Sequence, residues 1–146
     1  MSKSTIAEKS RISRVGLAAA AGQTPIVSDG ISIQNGHGAL FAIQMGTIAA
    51  TGVVTIKGER SDDNSSFEDI LGSEIILAPA DSDGVAILEI SEVSKKWARV
   101  TVTRTIADST IDSILAIATG PQISPVGNDA SVVDQVLIGS ATAGTP

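Results

Sequence analysis

Short apolar segments alternate with turn-forming residues along most of the chain. The residues between the segments are mainly Gly, Asp, Asn, Ser and Pro, which favour turns. Short strands at this spacing, each bounded by turn residues, predict an all-β sandwich or barrel. The nine predicted strands are Val15–Ala21, Ile26–Ile33, Ala39–Met45, Val53–Glu59, Glu74–Ala78, Val85–Ile90, Trp97–Arg104, Ile111–Ala118 and Val132–Ile138.

Two of these segments alternate between apolar and polar positions, which indicates one buried and one exposed face. In the first, Val54 and Ile56 alternate with Thr55 and Lys57. In the second, Ala98, Val100 and Val102 share one face, and Trp97, Arg99, Thr101 and Thr103 share the other. We expect the second face of each strand to meet water or a partner.

The segment Ala39–Met45 is apolar on both faces. Phe41, Ile43 and Met45 occupy one set of alternate positions, and Leu40 and Ala42 occupy the other. A strand that is apolar on both sides is typical of the interior of a sheet whose two faces are both covered. We therefore expect a central strand, with a partner as one source of the cover.

The residues Asp81–Gly84, with the sequence Asp-Ser-Asp-Gly, separate two predicted strands, Glu74–Ala78 and Val85–Ile90. An Asp-Gly pair between two apolar segments is a signal for a β-hairpin, because glycine adopts positive φ without steric cost. The pattern predicts that these two strands pair with each other.

Charge is distributed unevenly along the 146 residues, whose net charge is −6. Residues 1–14 contain four basic residues and one acid, a balance of +3, so the remaining residues carry −9. We interpret residues 1–12 as a flexible basic arm, 13–120 as the sandwich body and 121–146 as a linker, a strand at 132–138 and a flexible tail. An acidic body repels phosphates, so no nucleic-acid partner is predicted.

Composition excludes several classes of site. The chain has no cysteine and one histidine, His37, which rules out disulfides, thiolate zinc sites, a cysteine nucleophile and a multi-histidine metal site within one chain. No nucleophile elbow or phosphate-binding glycine motif is present. No signal peptide or membrane span is predicted. We therefore predict no enzyme activity, no cofactor and no membrane partner.

The acidic loop Ser61–Ser66 suggests a calcium site, but the EF-hand pattern fails. Counted from Asp62, the sixth position is Phe67 and the twelfth is Ser73, where that motif needs Gly and Glu. Aromatic residues, which form the platforms of sugar sites, are only 2% of the chain. A module that binds calcium or a sugar through this loop remains an alternative.

Three stretches together resemble the capsid cement, or decoration, proteins of tailed double-stranded-DNA phages. The first is Gly58–Gly72, a strand followed by an acidic turn, an aromatic residue, an Asp-Ile pair and a glycine. The second is the strand Trp97–Arg104, and the third is the closing strand Ile111–Pro121. The resemblance covers about residues 50–121 and depends on the order of the three motifs.

This resemblance implies a jelly-roll-like antiparallel β-sandwich with an extended N-terminal arm and a C-terminal tail. It implies a virion protein on the outer surface of the capsid, which bridges subunits of the major capsid protein and associates with its own copies as a dimer or trimer. A phage tail, baseplate or head-fibre protein is the nearest alternative. The residues expected to contact partners are Lys3, Lys9, Arg11, Arg14, Trp97 and Arg99.

Overall fold

The computed structural model describes residues 10–33, 37–119 and 131–133. In chain order the strands are β1 (Arg11–Gly16), β2 (Ala19–Gly22), β3 (Ile26–Val27), β4 (Ile31–Ser32), β5 (Ala39–Ile48), β6 (Val53–Ser61), β7 (Glu68–Asp69), β8 (Ile75–Leu77), β9 (Val85–Ile90), β10 (Trp97–Thr105) and β11 (Ser109–Ala118). One short 3-10 helix, Pro79–Asp81, lies between β8 and β9.

The strands form two antiparallel sheets, so the prediction of an all-β sandwich is confirmed. Sheet A has the order β1-β11-β5-β9, and β2 also pairs with β11. Sheet B has the order β3-β10-β6-β7, in which β4 also pairs with β10 and β8 with β6. Early strands pair with late ones in a nested series: β1 with β11, β4 with β10, β5 with β9, and β6 with β8. This nesting is the pairing of a jelly roll.

The core lies between the two sheets and follows the predicted alternation. Ala98, Val100 and Val102 of β10 are fully buried, as are Val54 and Ile56 of the neighbouring strand β6. From sheet A the largest buried side chains are Phe41, Ile43 and Met45 of β5 and Ile111 and Ile114 of β11. β5 lies between β11 and β9, which confirms the prediction of a central strand.

The predicted hairpin around Asp81–Gly84 is wrong. β8 pairs with β6 in sheet B, whereas β9 pairs with β5 in sheet A, so the connection crosses from one sheet to the other. The crossing is made by the 3-10 helix, in which Asp81 accepts a hydrogen bond from the backbone N–H of Ala78 at 2.8 Å. Asp83, with φ of 62°, adopts the left-handed conformation that was expected for Gly84.

At both ends of the chain, the predicted segments can be compared with the structure only in part, because many of their residues lie outside the described ones. β1 begins at Arg11, and the preceding Ser10 is buried, so regular structure starts before residue 13. Residues 1–9 of the predicted arm lie outside the described residues. Within the predicted strand 132–138, only Val132 and Val133 are described, and they have no regular structure.

A buried arginine joins the two sheets at one end of the sandwich. Arg104 of β10 is only 5% exposed. Its guanidinium donates hydrogen bonds to the carbonyl oxygens of Thr24 at 3.0 Å, Ala20 at 2.8 Å and Ser109 at 2.5 Å. Because Ala20 and Ser109 belong to sheet A, these bonds connect sheet B to sheet A. Arg104 forms no ion pair with any of the described residues.

Candidate partner-binding surface

The outer face of sheet A, which points away from the core, is unusually apolar. Its side chains come from four neighbouring strands and lie in two rows set by the strand register. In the first row Ile117 lies between Ile12 and Leu40, and in the second row Ala42 lies between Leu115 and Ile87. Together with Val85, these seven residues are here called the apolar face. Val85 and Ile87 are 57% and 60% exposed, and Leu40, Ala42, Leu115 and Ile117 are partly exposed.

Charged side chains lie only at the margins of the apolar face, as far as the described strands show. Arg14 of β1 lies beside Leu115 and is exposed. Glu89 of β9 lies beside Leu40 at the opposite edge of the sheet. Between the strands, the Ser113 hydroxyl donates to Gln44 Oε1 at 2.7 Å. An apolar centre with a polar rim is the usual arrangement of a protein–protein interface.

The outer face of sheet B has the opposite character, because its polar groups bond to one another. Arg99 donates to Glu59 at 3.1 Å, and its guanidinium lies 3.8 Å from the ring centre of Phe67. Thr101 also donates to Glu59. Lys57 forms ion pairs with Asp69 and Glu74 at 3.8 and 3.9 Å. This face therefore carries internal partners for its charges.

The structure does not bring the six predicted contact residues to one surface. Arg14 projects from the edge of the apolar face, whereas Arg11 shares the alternation of buried Ser13 and is half-buried. Trp97 and Arg99 lie on the outer face of sheet B, on the other side of the sandwich. Lys3 and Lys9 lie outside the described residues.

The acidic loop Ser61–Ser66 is organised by its own carboxylate. Asp63 Oδ1 accepts hydrogen bonds from the Ser61 hydroxyl at 2.8 Å and from the backbone N–H groups of Ser65 and Ser66 at 2.9 and 2.8 Å. The bond from Ser66, followed by that from Ser61, lowers the pKa of Asp63 below its ordinary value. This oxygen closes the turn, and no group of three metal-ligating side chains occurs among the described residues.

A second charged cluster fixes the loop between β9 and β10 against β7. Glu68 lies 2.9 Å from Arg60 and 3.2 Å from Lys95, and Lys95 lies 3.5 Å from Asp62. The hydrogen bond from Lys95, followed by that from Arg60, lowers the pKa of Glu68, and the same contact raises the pKa of Lys95. The two carboxylates are exposed and the two basic side chains half-buried, so the contribution of these ion pairs to stability is screened by solvent.

Shallow concave surfaces are found in the described part of the chain; two of them lie beside β9, and a third, of about 190 Å³, is lined by Lys57 and residues 69–74. A cavity of about 310 Å³ is lined by Met45, Leu77, Asp81 and Val85, among others. A second, of about 260 Å³, lies between the loop 70–73 and residues 88–92. His37 lines none of these cavities, and its carbonyl accepts a hydrogen bond from Val93 N–H at 3.0 Å. In the described ranges, no helix is long and apolar enough to cross a bilayer.

Comparison with known proteins gives structural likenesses of low similarity. No protein-family model and no curated protein matches the chain. A Bacillus endospore appendage protein, described as belonging to a novel family of disulfide-linked pili, is 15% identical, with a TM-score of 0.45, over 84% of this chain and 98% of that one. A Podospora anserina GH26-CBM35 β-(1,4)-mannanase is 12% identical, with a TM-score of 0.42, over 79% of this chain and 29% of that one. The Eiger TNF of S. frugiperda is 12% identical, with a TM-score of 0.36, over 78% and 99%. Likenesses at this level say nothing about what the chain binds.

The apolar face is the candidate site that the structure adds to the sequence analysis. The signal for it was present in Ala39–Met45, whose two faces are both apolar. Sequence alone could not show that Leu115 and Ile117 lie next to that strand, because the pairing of β5 with β11 joins residues that are far apart in the chain.

Proposed function

We propose that this protein is a non-enzymatic structural protein that binds the outside of an assembled phage capsid and bridges subunits of the major capsid protein. The observation that carries the proposal is the apolar face of sheet A, which offers a flat surface for another protein. The sequence resemblance to capsid cement proteins supports the capsid as the assembly concerned. The jelly-roll pairing of the strands is compatible with that resemblance.

The size of the apolar face fits a contact that is weak alone and strong when repeated. The apolar face and the polar side chains at its rim lie in three rows on four strands about 4.8 Å apart, and together they cover about 400 Å². A stable interface buries about 800 Å² on each partner, so this surface, rim included, supplies about half of that. Repetition over a capsid lattice adds avidity to such contacts.

The charge distribution fits the same role. The exposed Arg14 lies at the margin of the apolar face and follows the basic residues Lys3, Lys9 and Arg11 in the sequence. A basic margin steers the protein towards an acidic capsid surface and leaves the apolar centre to bind. Sheet B is less suited to this contact, because a partner there would have to desolvate the ion pairs of Arg99 and Lys57.

Occupancy on purified capsids that lack the protein tests the proposal. We expect Leu115→Glu to reduce capsid occupancy at least about tenfold, because it places a charge in the centre of the apolar contact. Thr103→Glu, on the outer face of sheet B, is the matched control and should bind as the wild type does. Circular dichroism melting confirms that both variants fold. Wild-type protein that binds purified tails and not capsids would instead support the tail or baseplate role.

A further inference from the structure

Strand β9 leaves one edge of sheet A open within the described residues. It pairs with β5 over Val85–Ile90 and with no other described strand. Open edges are normally protected by proline, lysine, a β-bulge or a very short strand. β9 has six residues, no proline, no lysine and no irregularity in its register with β5, and Glu89 is its only charged side chain. The open edges of sheet B are β3, β4, β7 and β8, which have two or three residues each.

We infer that β9 pairs antiparallel with β9 of a second copy of this chain across a two-fold axis, so that sheet A continues from one protomer into the other. A two-fold axis perpendicular to the sheet keeps the outer face of each copy on the same side. Residues directly opposite each other must then share one face, so the axis passes through a residue of β9 rather than between two residues.

Ile87 is the middle residue of the outward row of β9, and an axis through it opposes no two like charges. In that register Ile87 faces Ile87 of the partner subunit, and Val85 faces Glu89 of the partner subunit. On the core side, Ala86 faces Leu88 of the partner subunit. An axis through Glu89 would place two carboxylates opposite each other, which destabilises a strand pair. The register through Ile87 covers two of the most exposed apolar side chains of sheet A, since Val85 is 57% and Ile87 60% exposed.

The dimer would also enlarge the proposed binding surface, and this consequence alone rests on the proposed function. Two surfaces of about 400 Å², each an apolar face with its polar rim, would become one continuous surface of about 800 Å², the share of one partner in a stable interface. The pairing itself does not depend on a capsid. Dimerisation can be measured on the purified full chain without capsids. The dimer can therefore be absent while capsid binding is observed, or present while capsid binding is absent.

Single cysteine variants test the register directly, because the chain has no cysteine of its own. We expect Ile87→Cys to form a disulfide-linked dimer under mild oxidation, since opposed residues have Cα atoms about 4.5–5.5 Å apart, which is within the Cα–Cα range of a disulfide. Val85→Cys should not, because the two thiols would be four residues, or about 14 Å, apart along the strands. Ile76→Cys, on sheet B and 63% exposed, measures how much disulfide forms through random encounters between copies. Equal crosslinking of all three variants would overturn the inference.

Analytical ultracentrifugation of the full chain between about 1 and 200 μM gives an independent measurement. We expect a concentration-dependent dimer, with a dissociation constant raised about 100-fold in Ile87→Lys, since both copies lose an apolar contact. Ile76→Lys changes an isoleucine of similar exposure in the other sheet and should leave the constant unchanged. A wild-type chain that stays monomeric, or an Ile87→Lys variant that dimerises normally, would assign the edge to another occupant and overturn the inference.

Discussion

Replacement of Arg104 by methionine should test how the two sheets are held together at one end. The guanidinium is buried and donates to three carbonyl oxygens, those of Ala20, Thr24 and Ser109. Methionine fills similar volume but donates nothing. The buried carbonyl of Ser109 is then left without its partner, whereas the carbonyls of the exposed residues Ala20 and Thr24 can bond to water. A buried polar group without a partner costs about 1 kcal/mol or more. We expect Arg104→Met to lower the free energy of unfolding by about 2 kcal/mol, mainly through the buried Ser109 acceptor, a large share of the typical total of about 5–15 kcal/mol.

Urea unfolding followed by circular dichroism and by the fluorescence of Trp97 measures this loss, and agreement of the two signals checks two-state behaviour. For a chain of this size the loss corresponds to a Tm lower by about 6 °C. Lys57→Met is the matched control, because Lys57 lies in partly exposed ion pairs with Asp69 and Glu74. That substitution should cost less than about 1 kcal/mol. An Arg104→Met loss no larger than that of the control would refute the proposed link between the sheets.

Lysine at position 104 separates the effect of charge from that of geometry. In the wild type, Nε of Arg104 bonds to Thr24 while Nη1 bonds to both Ala20 and Ser109, so two different nitrogens serve the three acceptors. A lysine has a single nitrogen, which cannot occupy both positions. We expect Arg104→Lys to recover only part of the stability lost in Arg104→Met. Full recovery would show that charge alone is sufficient.

Two further predictions concern a close backbone contact and a loop carboxylate. Gly38→Ala would place a Cβ 2.0 Å from the carbonyl oxygen of Ile90, a clash that no side-chain rotation relieves. Thermal melting should show that the free energy of unfolding falls by at least about 2 kcal/mol. Gly22→Ala is the control and should be nearly neutral, because the nearest atom to its Cβ would lie at 3.5 Å. The pKa of Asp63 is lower in the folded chain than its unfolded value of about 3.8, so the ionised carboxylate stabilises the fold at pH values above 3.8. Asp63→Asn should therefore be less stable than the wild type at pH 7. The difference should shrink as the pH falls below the unfolded pKa, and a difference in urea midpoint that stays constant down to pH 2 would contradict this assignment.

The all-β fold could be predicted because the apolar alternation of single strands is a local property. Val85–Ile90 was predicted with the bounds that the structure has, and Trp97–Arg104 is one residue shorter than β10. The predicted strand Ile26–Ile33 is instead two short strands, β3 and β4, because Ser28, Asp29 and Gly30 lie between them. Strand pairing could not be predicted, and the expected pairing of the strands on either side of Asp81–Gly84 was therefore wrong.

The role of Arg104 shows what was missed at the level of single residues. Its position shares the alternation of Ala98, Val100 and Val102, which predicts that it points into the core. A charged residue at a core position is a signal that can be found from sequence, because it needs buried partners. Its partners, however, are backbone carbonyls of Ala20, Thr24 and Ser109, and backbone groups leave no mark in a sequence pattern.

The contrast between the two outer faces explains why sheet A, rather than sheet B, is the candidate for binding. In β10 and β6 the outward positions hold Thr101, Arg99 and Glu59, which bond to one another. In β5 and β11 the outward positions include Leu40, Leu115 and Ile117, for which contact with water brings no favourable bond. In both sheets, side chains alternate between the core and the outer face. Sheet B keeps its core with a polar outer face, so the fold itself does not require an apolar outer surface. A partner that covers sheet A gains apolar burial and breaks no ion pair of the described residues, whereas one that covers sheet B must separate Arg99 from Glu59 or bury the pair.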